Sequence, residues 1–428
     1  MSDAGTASPP PRRRWRQRLL VLAALLVALS LVATWLLQPK QLVPLILDRA
    51  GEALSLQITA SPDAEARLRG TPQLVVHDLA VREPGGDAVL LRAKRVLLSL
   101  PWSSVRSGGK DIVIRRIELD APELDLAAVR AWLAKRPPSE ETAIPTLTDG
   151  LRVIDGRVVD GTLRIEDLAI DLPALHPQRR AHTRIRGRAI DGALKLPFDL
   201  VVAMSRPANG AGLGIVGTLA FEGDDWRLPV AVKLSGPLRI GGDGIAMTPA
   251  TLGASARYES GDTRLPFALG LRGPLRIADG TATLAPAGVA LRGDGTTSIP
   301  STPIPTLDAH GAMSLGKRLI LRLDGTLPHW PETWPALPPP ISTSTSPLPF
   351  ALQYEGRMDL SDTTALSLRR DAMAFDSRFR LPALLDWLGQ AGGSPLPPLD
   401  GTLRAPQMTI SGATLEGVQV TLDEEEIE

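Results

Sequence analysis

The chain has 428 residues, 47 basic and 47 acidic side chains, and no cysteine. Balanced charge offers no basic footprint for nucleic acid, and the missing thiols exclude disulfides, thiolate metal sites and cysteine nucleophiles. Aromatic residues make up only 4% of the sequence, so the abundant Leu, Val and Ala suit a thin, extended apolar surface better than one thick core.

Arg12, Arg13, Arg14, Arg16 and Arg18 precede an uninterrupted apolar run from Leu19 to Leu37. As a helix this run would be roughly 28 Å long, the thickness of a bilayer core. Ser30 and Thr34 can bond back to the helix, and Trp35 sits where an interfacial aromatic belongs. The arginines place residues 1–18 in the cytoplasm and the bulk of the chain across the membrane. A cleaved signal peptide is the competing reading, but the run outlasts a typical signal core.

A short helix is expected from Gln41 to Leu54, then strands at 74–81, 88–93, 95–100 and 112–119, with a brief amphipathic helix from Leu126 to Lys135. These make a first domain over 41–136. Pro137-Pro138 opens a polar linker, 137–150, and a second domain of repeated strands runs over 151–428. Within it, Asp-Gly pairs at 155, 160, 191, 279, 294 and 400 read as hairpin turns. A Pro/Ser/Thr-rich loop lies near 327–349, with Trp330 and Trp334 able to pack it down or touch a membrane. A late helix is expected over 383–388. The acidic end, Asp423 to Glu426, reads as a solvated terminus.

Four Leu-Pro pairs open runs in which the apolar residues alternate. They supply Phe198, Leu200 and Val202; Val230, Val232 and Leu234; Phe267, Leu269 and Leu271; and Phe350, Leu352 and Tyr354. Period-two alternation marks a strand with one apolar and one polar face, and proline is tolerated at a strand start. Gly236, Gly273 and Gly356 close the last three runs at the same offset. Arg227–Ile240 aligns with Arg264–Ile277, both ending Gly-Pro-Leu-Arg-Ile, a repeat of about 37 residues.

Motifs with chemical connotations fail on context. Gly212, Gly214 and Gly217 match a dinucleotide fingerprint by letter, yet no helix is expected after them. Gly311 to Lys317 has phosphate-loop spacing, but Arg318 stands where Ser or Thr must bind Mg²⁺. Asp224-Asp225 and Glu140-Glu141 sit in polar turns. His77, His176, His182, His310 and His329 are scattered singly. No catalytic residue, metal or cofactor is expected, and the chain does not read as an enzyme.

Leu74-Val-Val-His-Asp-Leu-Ala-Val81, the strands to Leu100, Pro101-Trp-Ser-Ser-Val, and Asp111 to Leu126 resemble the amino-terminal domain of the AsmA family. The stretch from Leu399 to Leu422 is similar to that family's carboxy-terminal pattern. The resemblance implies a periplasmic protein anchored in the inner membrane, mainly β, built as an elongated curved antiparallel sheet forming a hydrophobic groove. It implies kinship with bridge-like lipid transfer proteins, phospholipids as partners, and a place in lipid transport or outer-membrane biogenesis. Outer-membrane proteins or periplasmic bridge partners would be further contacts.

Three readings of the alternating runs stand side by side. Their apolar face lines a lipid conduit; or an exposed sheet edge adds strands of outer-membrane proteins or secretion components; or the face fills a sealed structural core. Alternation alone favours the sealed core. The anchor and the resemblance favour the conduit.

Overall fold

The computed structural model describes residues 47–48, 51–52, 55–67, 70–86, 88–103, 113–135, 145–241, 244–293, 304–331, 334, 344, 346–358, 360–389, 397–410 and 413–423. The expected membrane anchor at 19–37, the basic segment before it, most of the 41–54 helix, most of the linker, most of the 327–349 loop and the end of the acidic tail lie outside these residues. Among the described residues no helix is long and apolar enough to cross a membrane. The fold is mainly β, and the chain divides into two units, Met1–Lys135 and Arg136–Glu428.

In the first unit, β3 (Gln73–Arg82) pairs antiparallel with β1 (Gln57–Thr59) and β2 (Glu65–Arg67) along one side, and with β4 (Val89–Ser99) along the other. β4 in turn holds β6 (Arg116–Asp120) and β7 (Glu123–Asp125); β5 is the short Val113–Ile114 segment. The stretches 88–93 and 95–100 form one strand, because nothing in Ala93-Lys94-Arg95 turns the chain and both flanks stay paired with β3. Val76, Leu90 and Ala93 form its buried core. Helix α1 (Leu126–Ala134) starts where expected, since the Asp125 carboxylate accepts the Ala128 N–H at 2.9 Å.

The second unit is one antiparallel meander in which each strand pairs with the next. After the short β8 (Thr146–Leu147) come β9 (Leu151–Asp160), β10 (Leu163–Leu172), β11 (Ala181–Asp191), β12 (Leu194–Met204), β13 (Gly212–Glu222), β14 (Trp226–Gly241), β15 (Gly244–Ser260) and β16 (Thr263–Ala278). Then follow β17 (Thr281–Arg292), β18 (Leu307–Leu315), β19 (Leu319–Leu327), β20 (Leu348–Gly356), β21 (Thr363–Arg370), β22 (Met373–Arg380), helix α2 (Leu381–Gly389), β23 (Leu399–Ile410) and β24 (Ala413–Leu422). At about 4.8 Å per strand, β9 to β24 span roughly 70 Å measured along the sheet.

The Asp-Gly pairs behave in two ways. Those at 160, 191 and 279 join adjacent strands as hairpin turns. Asp155-Gly156 instead lies within β9, where Asp155 has φ 56° and the register with β10 shifts, so it makes a bulge. Asp400-Gly401 lies within β23, where a side chain at Gly401 would meet the Phe375 ring. The pair at 294 is outside the described residues. The fingerprint-like glycines at 212–217 are in β13, and Gly311 to Lys317 covers β18 and its turn, so neither precedes a helix.

The repeat is a two-strand hairpin. β14 and β15 correspond to β16 and β17, down to matched bulges at Met247-Thr-Pro-Ala250 and Leu284-Ala-Pro-Ala287, each with a cis X-Pro bond. One extra residue is absorbed there: Thr248 and Pro249 face outward while Met247 and Ala250 stay buried, and the second copy does the same. The bulge therefore keeps the apolar phase intact on both sides of it. It also explains two of the three closing glycines, whereas at Gly356 a β-carbon would meet the Asp362 side chain and the Tyr354 hydroxyl instead. A β-carbon on Gly236 would lie 2.6 Å from the Pro249 carbonyl oxygen, and one on Gly273 would collide with that of Pro286.

Candidate functional site

Residues directly opposed on neighbouring strands share a face of the sheet. From Val202 the opposed row runs through Ile215, Leu234, Leu252, Leu271, Val289 and Ala309 to Gly325, Phe350, Leu368, Phe375, Leu403 and Val420. All four Leu-Pro strands cross this row in the same phase. Phe198 and Leu200 lead across β13 to Val230 and Val232, and these lead across β15 to Phe267 and Leu269. The twelve residues picked out by alternation thus occupy one face.

Their surroundings differ along the sheet. The nine on β12, β14 and β16 are all half-buried. On β20, Phe350 and Tyr354 are sealed at 7% and 3% exposure, and only Leu352 is half-buried. Phe350 belongs to a cluster drawn from β17 to β23, including Val289, Leu323, Leu348, Leu368 and Leu403, with Trp330 packed against it. Leu269 and Leu271 sit at its margin. Phe350 and Tyr354 are therefore core residues, not lining. Phe350 leans over Gly325, its direct partner, where a β-carbon would lie 2.7 Å from the ring.

The strands between the Leu-Pro copies carry half of the face, and alternation around the Leu-Pro pairs alone does not reach them. Ile215, Leu219 and Leu252 are examples. Their signal in the sequence is weaker, because Gly217, Ala254 and Ala256 dilute the alternation.

The opposite face is mostly polar, with Val201 and Val216 exposed on it in the row of Lys233. Its rows include Ser235, Thr251 and Arg272, and farther on His310, Asp324, Ala351, Ser367 and Asp376. A groove of about 990 Å³ is lined by Arg186, Arg188, Asp199, Thr218, Arg227 and Arg257 of the polar phase and also by Phe198, Leu219, Val230 and Phe267 of the apolar phase. A smaller one of about 450 Å³ lies by Asp308, His310, Asp324 and Arg369. Most charges here are paired with close neighbours, as in Arg292–Asp308 at 2.7 Å and Arg227–Glu222 at 3.2 Å. No cluster of His, Asp and Glu among the described residues could hold a metal ion.

One ion pair on the polar face is bidentate. Arg184 donates from Nε and Nη2 to the two carboxylate oxygens of Asp199 at 2.8 and 2.6 Å. These hydrogen bonds hold the Asp199 carboxyl below its ordinary range against a smaller opposing effect of desolvation, with help from the charges of Arg184 and Arg186. A depressed folded value means stabilisation that is present at neutral pH and lost as pH falls through that value. The stability difference between the native chain and Asp199→Asn, measured by urea unfolding, should accordingly be larger at pH 7 than at pH 3.

No protein family, curated sequence or solved structure matches the chain.

Proposed function

We propose that the second unit binds phospholipid acyl chains along the apolar face of β12 to β16, with headgroups left toward water. In this reading the protein is anchored in the inner membrane with its bulk in the periplasm, and it supports lipid transport or outer-membrane biogenesis. The observation that carries the reading is the single apolar row crossing every strand from β12 to β18, its members on β12 to β16 only half-buried. Burying chain methylenes there is worth about 0.8 kcal/mol each and needs no directional chemistry. The apolar run at 19–37 and the AsmA-like ends of the sequence support the same reading.

The test is photo-crosslinking in the full chain within its native membrane. A photoreactive residue at Val232 or Leu200 should yield phospholipid adducts, while one at Lys233, on the polar face, should not. Equal labelling at Lys233, or none at Val232 and Leu200, overturns the reading.

A second reading is strand addition. It rests on β24, which pairs only with β23 among the described strands and so offers an unpaired edge to an extended chain. It predicts crosslinks from Gly417 to unfolded outer-membrane protein, undisturbed by a charge at Val232.

A further inference from the structure

At one end of the strands the apolar face stops abruptly. In the opposed row from Leu238 to Tyr354, Leu238, Met247, Leu284 and Tyr354 are buried and Leu275, Met313 and Leu321 are half-buried. Two residues farther out on the same face lies another opposed row, carrying Ile240, Ile245, Ile277 and Leu315. These are 59%, 39%, 38% and 45% exposed. Ala282 completes the row between the last two. A strand end that faces water ordinarily carries polar side chains; here four large aliphatic ones stand in line.

The charges around this lip lean positive. Arg239, Arg276, Lys317 and Arg318 flank it on the strands and turns, with Arg206 and Arg357 in the loops at the same end. The Asn209 side-chain amide ties the first of those loops to Ile240, donating to its carbonyl at 3.1 Å and accepting its N–H at 3.0 Å. The acids nearby among the described residues are Asp279, Glu355 and Asp362; Glu355 is paired with Arg318 at 3.1 Å, and Asp362 lies 3.8 Å from Arg357. From β14 to β18 the row is roughly 19 Å long and one side chain deep. That is narrow for a stable protein interface, which needs about 800 Å² per partner. It fits the boundary between lipid headgroups and acyl chains, which such side chains enter by about 5–10 Å.

We infer that this lip rests on an anionic lipid surface, with Ile240, Ile245, Ile277 and Leu315 entering the headgroup boundary and the surrounding cations meeting lipid phosphates. The inference stands on exposure and charge and does not depend on acyl chains occupying the β12 to β16 face.

The cysteine-free sequence makes the test direct. The full chain is reconstituted with a fluorophore on a single cysteine at Ile277 or Leu315, or at Thr251 on the polar face as control. The vesicles contain nitroxide-labelled phosphatidylcholine, with or without phosphatidylglycerol. Labels at 277 and 315 should be quenched in the anionic vesicles and much less in the zwitterionic ones, with the control unquenched. Replacing Lys317 and Arg239 by Gln should lower the docked-to-free ratio roughly fivefold per cation removed. Quenching no greater than at Thr251, or equal quenching without phosphatidylglycerol, overturns the proposal. Energy transfer between labelled copies would also overturn it, because a second chain would then be covering the lip.

Discussion

Val232→Glu should empty the protein of lipid while leaving it folded. Val232 is half-buried between Gly217 and Ala254, two small residues on the adjoining strands, so a glutamate there has room to turn its carboxylate to water. The expected stability cost is about 1 kcal/mol. An acyl chain crossing this point would lose contact for about three methylenes, which at 0.8 kcal/mol each weakens binding on the order of fiftyfold. Phospholipid per protein, read by mass spectrometry on crosslinked material, should fall to background while the urea midpoint shifts little. A variant that unfolds outright would show that Val232 belongs to a closed core, and the acyl-chain reading would go with it.

Leu348→Asp should do the opposite: unfold the second unit before any question of lipid arises. Leu348 is 1% exposed, the most deeply sealed large side chain among the described residues, and it opens the one Leu-Pro strand that lies inside the core cluster. A carboxylate there has no partner and no route to water, so the cost should exceed about 4 kcal/mol, a large part of a domain's whole stability. Leu348→Ala gives a milder version, about 2–5 kcal/mol with a cavity left behind. Tryptophan fluorescence is a suitable probe, because Trp330 packs on the same cluster and meets Trp334 edge-on at 4.8 Å. Two substitutions at matching alternation, one in β14 and one in β20, would thus separate an accessible stretch from a sealed one.

That contrast marks the limit of what alternation conveys. The phase of each Leu-Pro run was legible, and the pairing of β12 through β20 puts all twelve residues on one face because the register preserves that phase from strand to strand. Helix α1 was legible from its amphipathic run ahead of Pro137-Pro138, and α2 from the run around Trp387. What alternation cannot say is how much lies over a face. Val232 and Phe350 belong to indistinguishable patterns, and only the cluster gathered from β17 to β23, with Trp330 against it, buries one of them. Asp155-Gly156 reads like Asp160-Gly161 for a related reason: both accept a left-handed residue, and the choice between bulge and turn depends on whether the partner strand continues past it. The closing glycines were visible as a repeat, but the cause at Gly236 and Gly273, a proline carbonyl on a bulged neighbour, required the pairing of β14 with β15 and of β16 with β17. The lip at Ile240 was hidden in plain alternation, since nothing in the spacing tells where along a strand the covering ends.

The matched hairpins make length itself an editable property. Removing residues 227–263 would join Trp226 to Arg264, the counterpart of Arg227, and bring β13 against a strand that begins Arg-Leu-Pro just as its lost neighbour did. Face, bulge and glycine would all return in step, with the sheet shorter by about 9.5 Å. A chain organised this way can be lengthened or trimmed by whole hairpins without redesigning any contact, so its reach is set by copy number rather than by sequence invention.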